Sequence, residues 1–166
     1  KQFRETLIAH ETITSYTDAE VHLRLREVWG QYCLMLWLFQ VPGDPEKTNF
    51  AKAPKGEMRC GAVLDFKHDE LHALLWRLRH EQRRRMDPDH LKSPESAEHA
   101  AWAAQIPLNA LGKDAESCTD EDLLLAACEH VGMLAALRWV MDGRNAWGSA
   151  QAMDVADMPF PAQPET

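Results

Sequence analysis

Prolines and glycines cut this chain at a few places, and between the cuts the apolar residues recur at helical spacing. Pro42, Gly43 and Pro45 close the first long segment. Pro88 closes the second, because the residue before a proline is driven out of the α region. Pro107 breaks a third, Ala-rich segment that Ser93 caps with Pro94 at its first position, and a short turn over 108–111 leads to Gly112. The fourth starts at Thr119, carries Asp120, Glu121 and Asp122 in its first turn, where the helix dipole favours acids, and stops at Gly143. A chain punctuated in this way has little choice but to pack helices against one another.

In the first segment, Thr17 and Glu20 stand at capping-box spacing. Val21, Leu25, Val28, Tyr32, Met35, Leu36 and Phe39 form the stripe expected to face the core. Its last two turns are apolar on every side, so a strand over 32–41 competes with the helix. A short helix over 3–9, an extended stretch over 12–14 and a strand-like lead-in over 58–66 complete the reading. In the fourth segment the expected apolar face is Leu123, Ala127, His130, Leu134, Leu137 and Met141. No internal repeat is evident at this level. The expectation is a mainly α protein, an irregular bundle of about four principal helices with short helical pieces and room for one small strand pair. It forms a single domain over 1–157 with a mobile loop at 42–57 and a disordered tail at 158–166.

The balance of 45% hydrophobic and 27% charged residues in 166 is that of a globular chain able to bury a core. A formal net charge of -8 works against general nucleic-acid affinity, which rests on Lys and Arg, although a local patch survives that argument. Cys33, Cys60, Cys118 and Cys128 form no Cys-x-x-Cys pair, so reduced thiols and a cytoplasmic location are expected. The N-terminus lacks the apolar core of a secretory signal, and the longest apolar run, 33–39, falls far short of the roughly 20 residues that span a bilayer.

Site-like residues concentrate in one segment, 66–86. His68 and His72 lie one turn apart and could share a transition metal such as zinc. The sequence HDELH departs from the H-E-x-x-H pattern of metalloproteases, with Asp69 in the place of Glu and Glu70 one residue late. His130 reads either as a core histidine bonded to a backbone carbonyl or as a third ligand or acid/base group facing that pair. In the second case the chain would be a metal-dependent helical-bundle hydrolase.

The same segment ends in Arg77, Arg79, Arg83, Arg84 and Arg85, whose planar forks suit carboxylates and phosphates. They point to an acidic protein, a nucleotide or a nucleic-acid backbone, or else to internal pairing with Asp87, Asp89 or the acids at 120–122. Arg77 and Glu81 are an i,i+4 pair. Trp76 sits off the leucine stripe of Leu71, Leu74, Leu75 and Leu78, beside the arginines, a placement enriched at protein interfaces. No glycine-rich phosphate loop and no serine elbow is present, and Cys128 and His130 point about 200° apart on a helix. These residues favour a protein that works by binding a protein partner or itself, without resident cofactor, catalytic residues or membrane span.

Overall fold

The computed structural model describes residues 17–89 and 94–142. These form four helices, α1 (Asp18–Leu38), α2 (Ala62–Met86), α3 (Pro94–Ala103) and α4 (Asp120–Asp142), and a 3-10 turn at Pro45–Lys47. The expected short helix over 3–9, the extended stretch over 12–14, the Ser93 cap, the Gly143 stop and the tail over 158–166 lie outside the described residues. No strand occurs among the described residues, only an isolated bridge between Ala110 and Lys113.

The strand reading of 32–41 gives way to helix through Leu38. Val41 N–H reaches back to Leu36 O (2.9 Å) and Gln40 N–H to Trp37 O (3.1 Å), a Schellman closure that puts Gln40 in the left-handed region at φ 50°. The lead-in at 58–66 is likewise corrected, since α2 already begins at Ala62. Its N-cap is Gly61 at φ 61°, which supplies no capping side chain, so the usual start signal is missing from the sequence. The connection between α1 and α2 is tied down locally. Tyr32 Oη donates to Thr48 O, Gln40 Nε2 to Glu57 O (2.7 Å), and Arg59 Nε to Trp37 O (3.0 Å) with its guanidinium over the Trp37 ring.

α4 is the hub, and both α1 and α2 pack along it. α2 runs antiparallel to α4, because Arg138 near the end of α4 meets His68 near the start of α2, while Arg85 at the end of α2 meets Asp120 at the start of α4. Arg59 N–H bonds to Leu38 O, which places the start of α2 at the end of α1. α1 and α4 therefore run parallel. Leu34, Leu38, Leu71, Leu75, Leu78, Leu123, Leu134 and Leu137 fill the core between the three helices. α4 is long and apolar enough to cross a membrane by length and composition, the same properties that let it serve as a core helix with neighbours on two sides.

The parallel pair is joined by a reciprocal glycine contact. A Cβ on Gly30 would stand within 3 Å of the backbone carbonyl of Glu129, and a Cβ on Gly132 would stand equally close to that of Glu27. The two helices thus meet backbone to backbone, a closeness that admits only glycine. Arg26 of α1 pairs with Glu129 across the same crossing.

The reciprocity extends along the chain as an internal repeat, which corrects the expectation that there is none. Ser15-x-Thr17-Asp18, Glu27-x-x-Gly30 and Trp37 recur 102 residues later as Ser117-x-Thr119-Asp120, Glu129-x-x-Gly132 and Trp139. Both helices open with a capping box. Glu20 N–H donates to Thr17 Oγ1 and Thr17 N–H to Glu20 Oε2 (3.3 and 2.7 Å), as Asp122 N–H does to Thr119 Oγ1 and Thr119 N–H to Asp122 Oδ2 (3.1 and 2.8 Å). Asp122 also accepts from Lys113 Nζ with both oxygens at 2.8 Å. Lys113 first and Thr119 second hold its carboxyl down at about 2. Thr119→Ala removes one cap bond and loosens the Lys113 contact. It is expected to cost about 1–2 kcal/mol in urea unfolding, more than Thr17→Ala at the exposed end of α1.

The core face of α1 is not the one its apolar stripe indicates. Val21, Leu25 and Val28 are 45%, 62% and 48% exposed. The second half of the stripe does face inward, with Leu36 buried and Met35 and Phe39 packed against the core, but in place of its first half the buried positions are Gly30, Leu34 and Leu38. The glycine contact with α4 fixes the rotation of α1, and its consequence is a row of apolar side chains in solvent. On α4 the expected face holds, with Leu123, Ala127, Leu134 and Leu137 each 0% exposed, except for Met141, which is exposed.

Candidate functional site

The helix that carries the site-like residues, α2, splits into two halves with different surroundings. In its first half the His68 and His72 rings lie 6.1 Å apart between centroids. His68 Nε2 accepts a hydrogen bond from Arg138 Nε (3.2 Å), and its Nδ1 faces Asp69 Oδ1 (3.4 Å). A nitrogen that receives a guanidinium N–H has its lone pair in use and stands beside a fixed positive charge, a poor setting for a metal cation. His72 is exposed.

His130 on α4 donates from Nδ1 to Ala126 O (2.8 Å), one turn back on its own helix. Burial pushes its pKa down, which keeps the ring neutral, and the nearest charges from the facing helix are Lys67 and Glu70 of α2. This is the backbone-bonded core histidine. Among the described residues no group of three or more His, Cys, Asp or Glu is arranged to hold a metal ion.

A thiol nucleophile is disfavoured on chemistry as well as direction. Burial and the carboxylate of Glu27 push the Cys128 thiol up to about 11, and burial and Glu129 do the same to Cys33. Both thiols stay protonated at neutral pH and are weak nucleophiles.

The second half of α2 carries the arginines, and three of them close on one carboxylate. Glu81 is 2% exposed. It accepts from Arg84 through both nitrogens (3.1 and 2.6 Å), from Arg85 Nε (3.1 Å) and from Arg77 Nη1 (3.4 Å). Burial alone would raise the Glu81 carboxyl. The hydrogen bonds from Arg84, Arg85 and Arg77 outweigh it and hold the carboxyl at about 2.

Other donors of Arg77 and Arg85 reach outward to neighbouring backbone and to one carboxylate. Arg77 Nε bonds to Ile106 O (3.2 Å), and Arg85 bonds to Ala115 O, Cys118 O and Asp120 Oδ1 (2.8, 3.0 and 3.0 Å). Arg77 and Arg85 thus fasten the end of α2 to the segment that leads into α4, while Arg84 closes on Glu81 within the helix. The expected pairing with the acids at 120–122 is realised by Arg85. Arg83 is exposed, and Arg79 is partly buried. The signal for this clasp in the sequence is Glu81 itself, an acid at i−3 and i−4 of Arg84 and Arg85 and at i+4 of Arg77.

Trp76 is partly buried because α3 covers it. Trp102 meets it edge-on at 4.1 Å between centroids, and His80 stacks on it at 5.2 Å and 22°. The aromatic that reaches solvent on this side is Trp102, 43% exposed.

The site residues therefore fall into three separate places. His68 and His130 lie along the α2–α4 seam with His72 exposed beside them, Arg77, Arg84 and Arg85 form a clasp at its other end, and the aromatic pair ties α3 to α2. The feature that sequence reasoning misassigned is the outer face of α1, with Val21, Leu25 and Val28 at i, i+4 and i+7. Three comparisons with known proteins returned no match, whether to a family model, a curated protein or a solved structure.

Proposed function

We propose that this protein acts by association with a protein partner or with itself, through the outer face of α1. The observation that carries the reading is the row Val21, Leu25 and Val28, each 45% exposed or more on a helix whose opposite side is bonded into the core. Scattered apolar residues on a surface need no explanation, but a row along two turns of one rigid helix is the form of a helix-in-groove or helix-on-helix contact. The basic, Trp-bearing end of α2 offers less to a partner, since Arg77, Arg84 and Arg85 are committed to Glu81 and the loop beside it, which leaves Arg83 and, on α3, Trp102 exposed there. Free cysteines fit a reducing compartment, in keeping with a cytoplasmic partner.

Two double variants separate the surfaces, read by multi-angle light scattering and by affinity capture from the source cells. Leu25→Asp with Val28→Asp is expected to abolish association while leaving the circular dichroism spectrum unchanged. Arg83→Glu with Trp102→Ala is expected to leave association within twofold of the unsubstituted chain. If the second pair abolishes association and the first does not, the contact lies on α2 and α3. If neither changes anything, the protein does not work by association through these faces.

A further inference from the structure

The internal repeat has unequal outcomes on the outer sides of its two helices. On α4, Leu123, Ala127, His130 and Leu134 lie opposite Gly132, on the side where α2 packs. Their counterparts 102 residues earlier are Val21, Leu25, Val28 and Tyr32, opposite Gly30 on α1. Leu123, Ala127 and Leu134 are 0% exposed, whereas Val21, Leu25 and Val28 are about half exposed.

The charge pattern repeats along with the apolar one. α2 ends over α4 with Arg85 bonded to Asp120, the first residue of α4. The counterpart of Asp120 is Asp18, the first residue of α1, exposed and without an ion pair among the described residues. α1 therefore presents to solvent the apolar row and the terminal acid that α4 presents to α2.

We propose that the outer face of α1 docks an antiparallel amphipathic helix of a partner protein, with apolar residues at i, i+4 and i+7 and arginine in its last turn. This rests on the association reading above and specifies its partner. The apolar row sets the contact, and the carboxylate of Asp18 at the start of α1 selects a basic C-terminal turn. The direction follows from α2 on α4, where the same acid at the same helix start receives an arginine from an antiparallel neighbour.

The test uses the full chain and a peptide with the α2 sequence, Ala62–Met86, as the probe of the required chemistry. The peptide is titrated by fluorescence anisotropy against the unsubstituted chain, Leu25→Asp and Asp18→Arg. Saturable binding is expected, weakened at least tenfold by Leu25→Asp and about fivefold by Asp18→Arg, and absent for a peptide of scrambled order. No saturable binding overturns the proposal. So does binding indifferent to both substitutions, which would mean that the peptide displaces α2 from α4. If Leu25→Asp instead abolishes concentration-dependent self-association in the absence of peptide, the face pairs with a second copy. The partner-helix proposal then falls while association through α1 stands.

Discussion

Gly132→Ala is expected to destabilise the protein by about 3 kcal/mol and to lower its thermal midpoint by roughly 6–12 °C. The added methyl would meet the Glu27 carbonyl oxygen and carbon, both backbone atoms that no rotamer change can move aside. The only relief is to push α1 and α4 apart, which loosens the shared core cluster that holds Leu34 and Leu38 of α1 and lengthens the Arg26–Glu129 pair. Gly30→Ala makes the mirror-image clash with Glu129 and is expected to match it. The double variant should cost well under the sum, because helices already separated by one methyl have room for the other. Additive losses, or single losses below about 1 kcal/mol, would mean that the helices do not meet at these glycines. Differential scanning calorimetry with urea unfolding measures both quantities.

Glu81→Ala has the second large expected effect. Three guanidinium groups converge on this one carboxylate, and removing it leaves like charges facing one another around a cavity. Breaking a buried pair from one side costs about 3–5 kcal/mol, and the partial exposure of Arg84 and Arg85 reduces that to about 2–3 kcal/mol. Glu81→Gln keeps the shape and one acceptor and should lose less.

The acid dependence gives a second readout. The folded carboxyl is held at about 2, below its value of 4.5 in an unperturbed chain. Its contribution to stability is therefore complete above pH 4.5 and drains away as the pH falls towards 2. Asp122, held at about 2 by Lys113 and Thr119, titrates in the same direction. Glu81→Gln should thus flatten the acid limb of a stability–pH curve without abolishing it. An unchanged acid limb would remove Glu81 from the clasp.

The helices themselves were legible from caps and breakers. Thr17 with Glu20, Thr119 with the acids after it, and Pro88 mark ends that local chemistry enforces. The start of α2 was not legible, because Gly61 offers no capping side chain and 58–66 carries as much strand character as helix. The rotation of α1 was not legible either. Its second half is apolar on every side, so a wheel gives no direction there, and in its first half the apolar row is real but faces solvent. The contact that decides the matter is made by a glycine, which carries no hydrophobic signal. A comparison of the chain with itself would have found it, since Glu-x-x-Gly and Trp recur at one constant offset.

At the candidate sites, i,i+4 spacing correctly paired Arg77 with Glu81, whereas the apolar setting of His130 left a core histidine and a ligand both open, and its bond to Ala126 O matches the first. The Arg138 bond that engages His68 joins residues 70 apart in sequence and has no local signature.

The parallel packing of α1 on α4 also sets the order in which the molecule can be made. The two glycines that must meet are 102 residues apart, so the contact closes a long loop whose entropy must be met before any packing energy is gained. Helical bundles usually fold fast because neighbours in space are neighbours in sequence, and here the central pair breaks that rule. During synthesis α1 and α2 leave the ribosome with their core faces bare until α4 follows, a long interval in which α1 shows leucine on both sides to whatever is near.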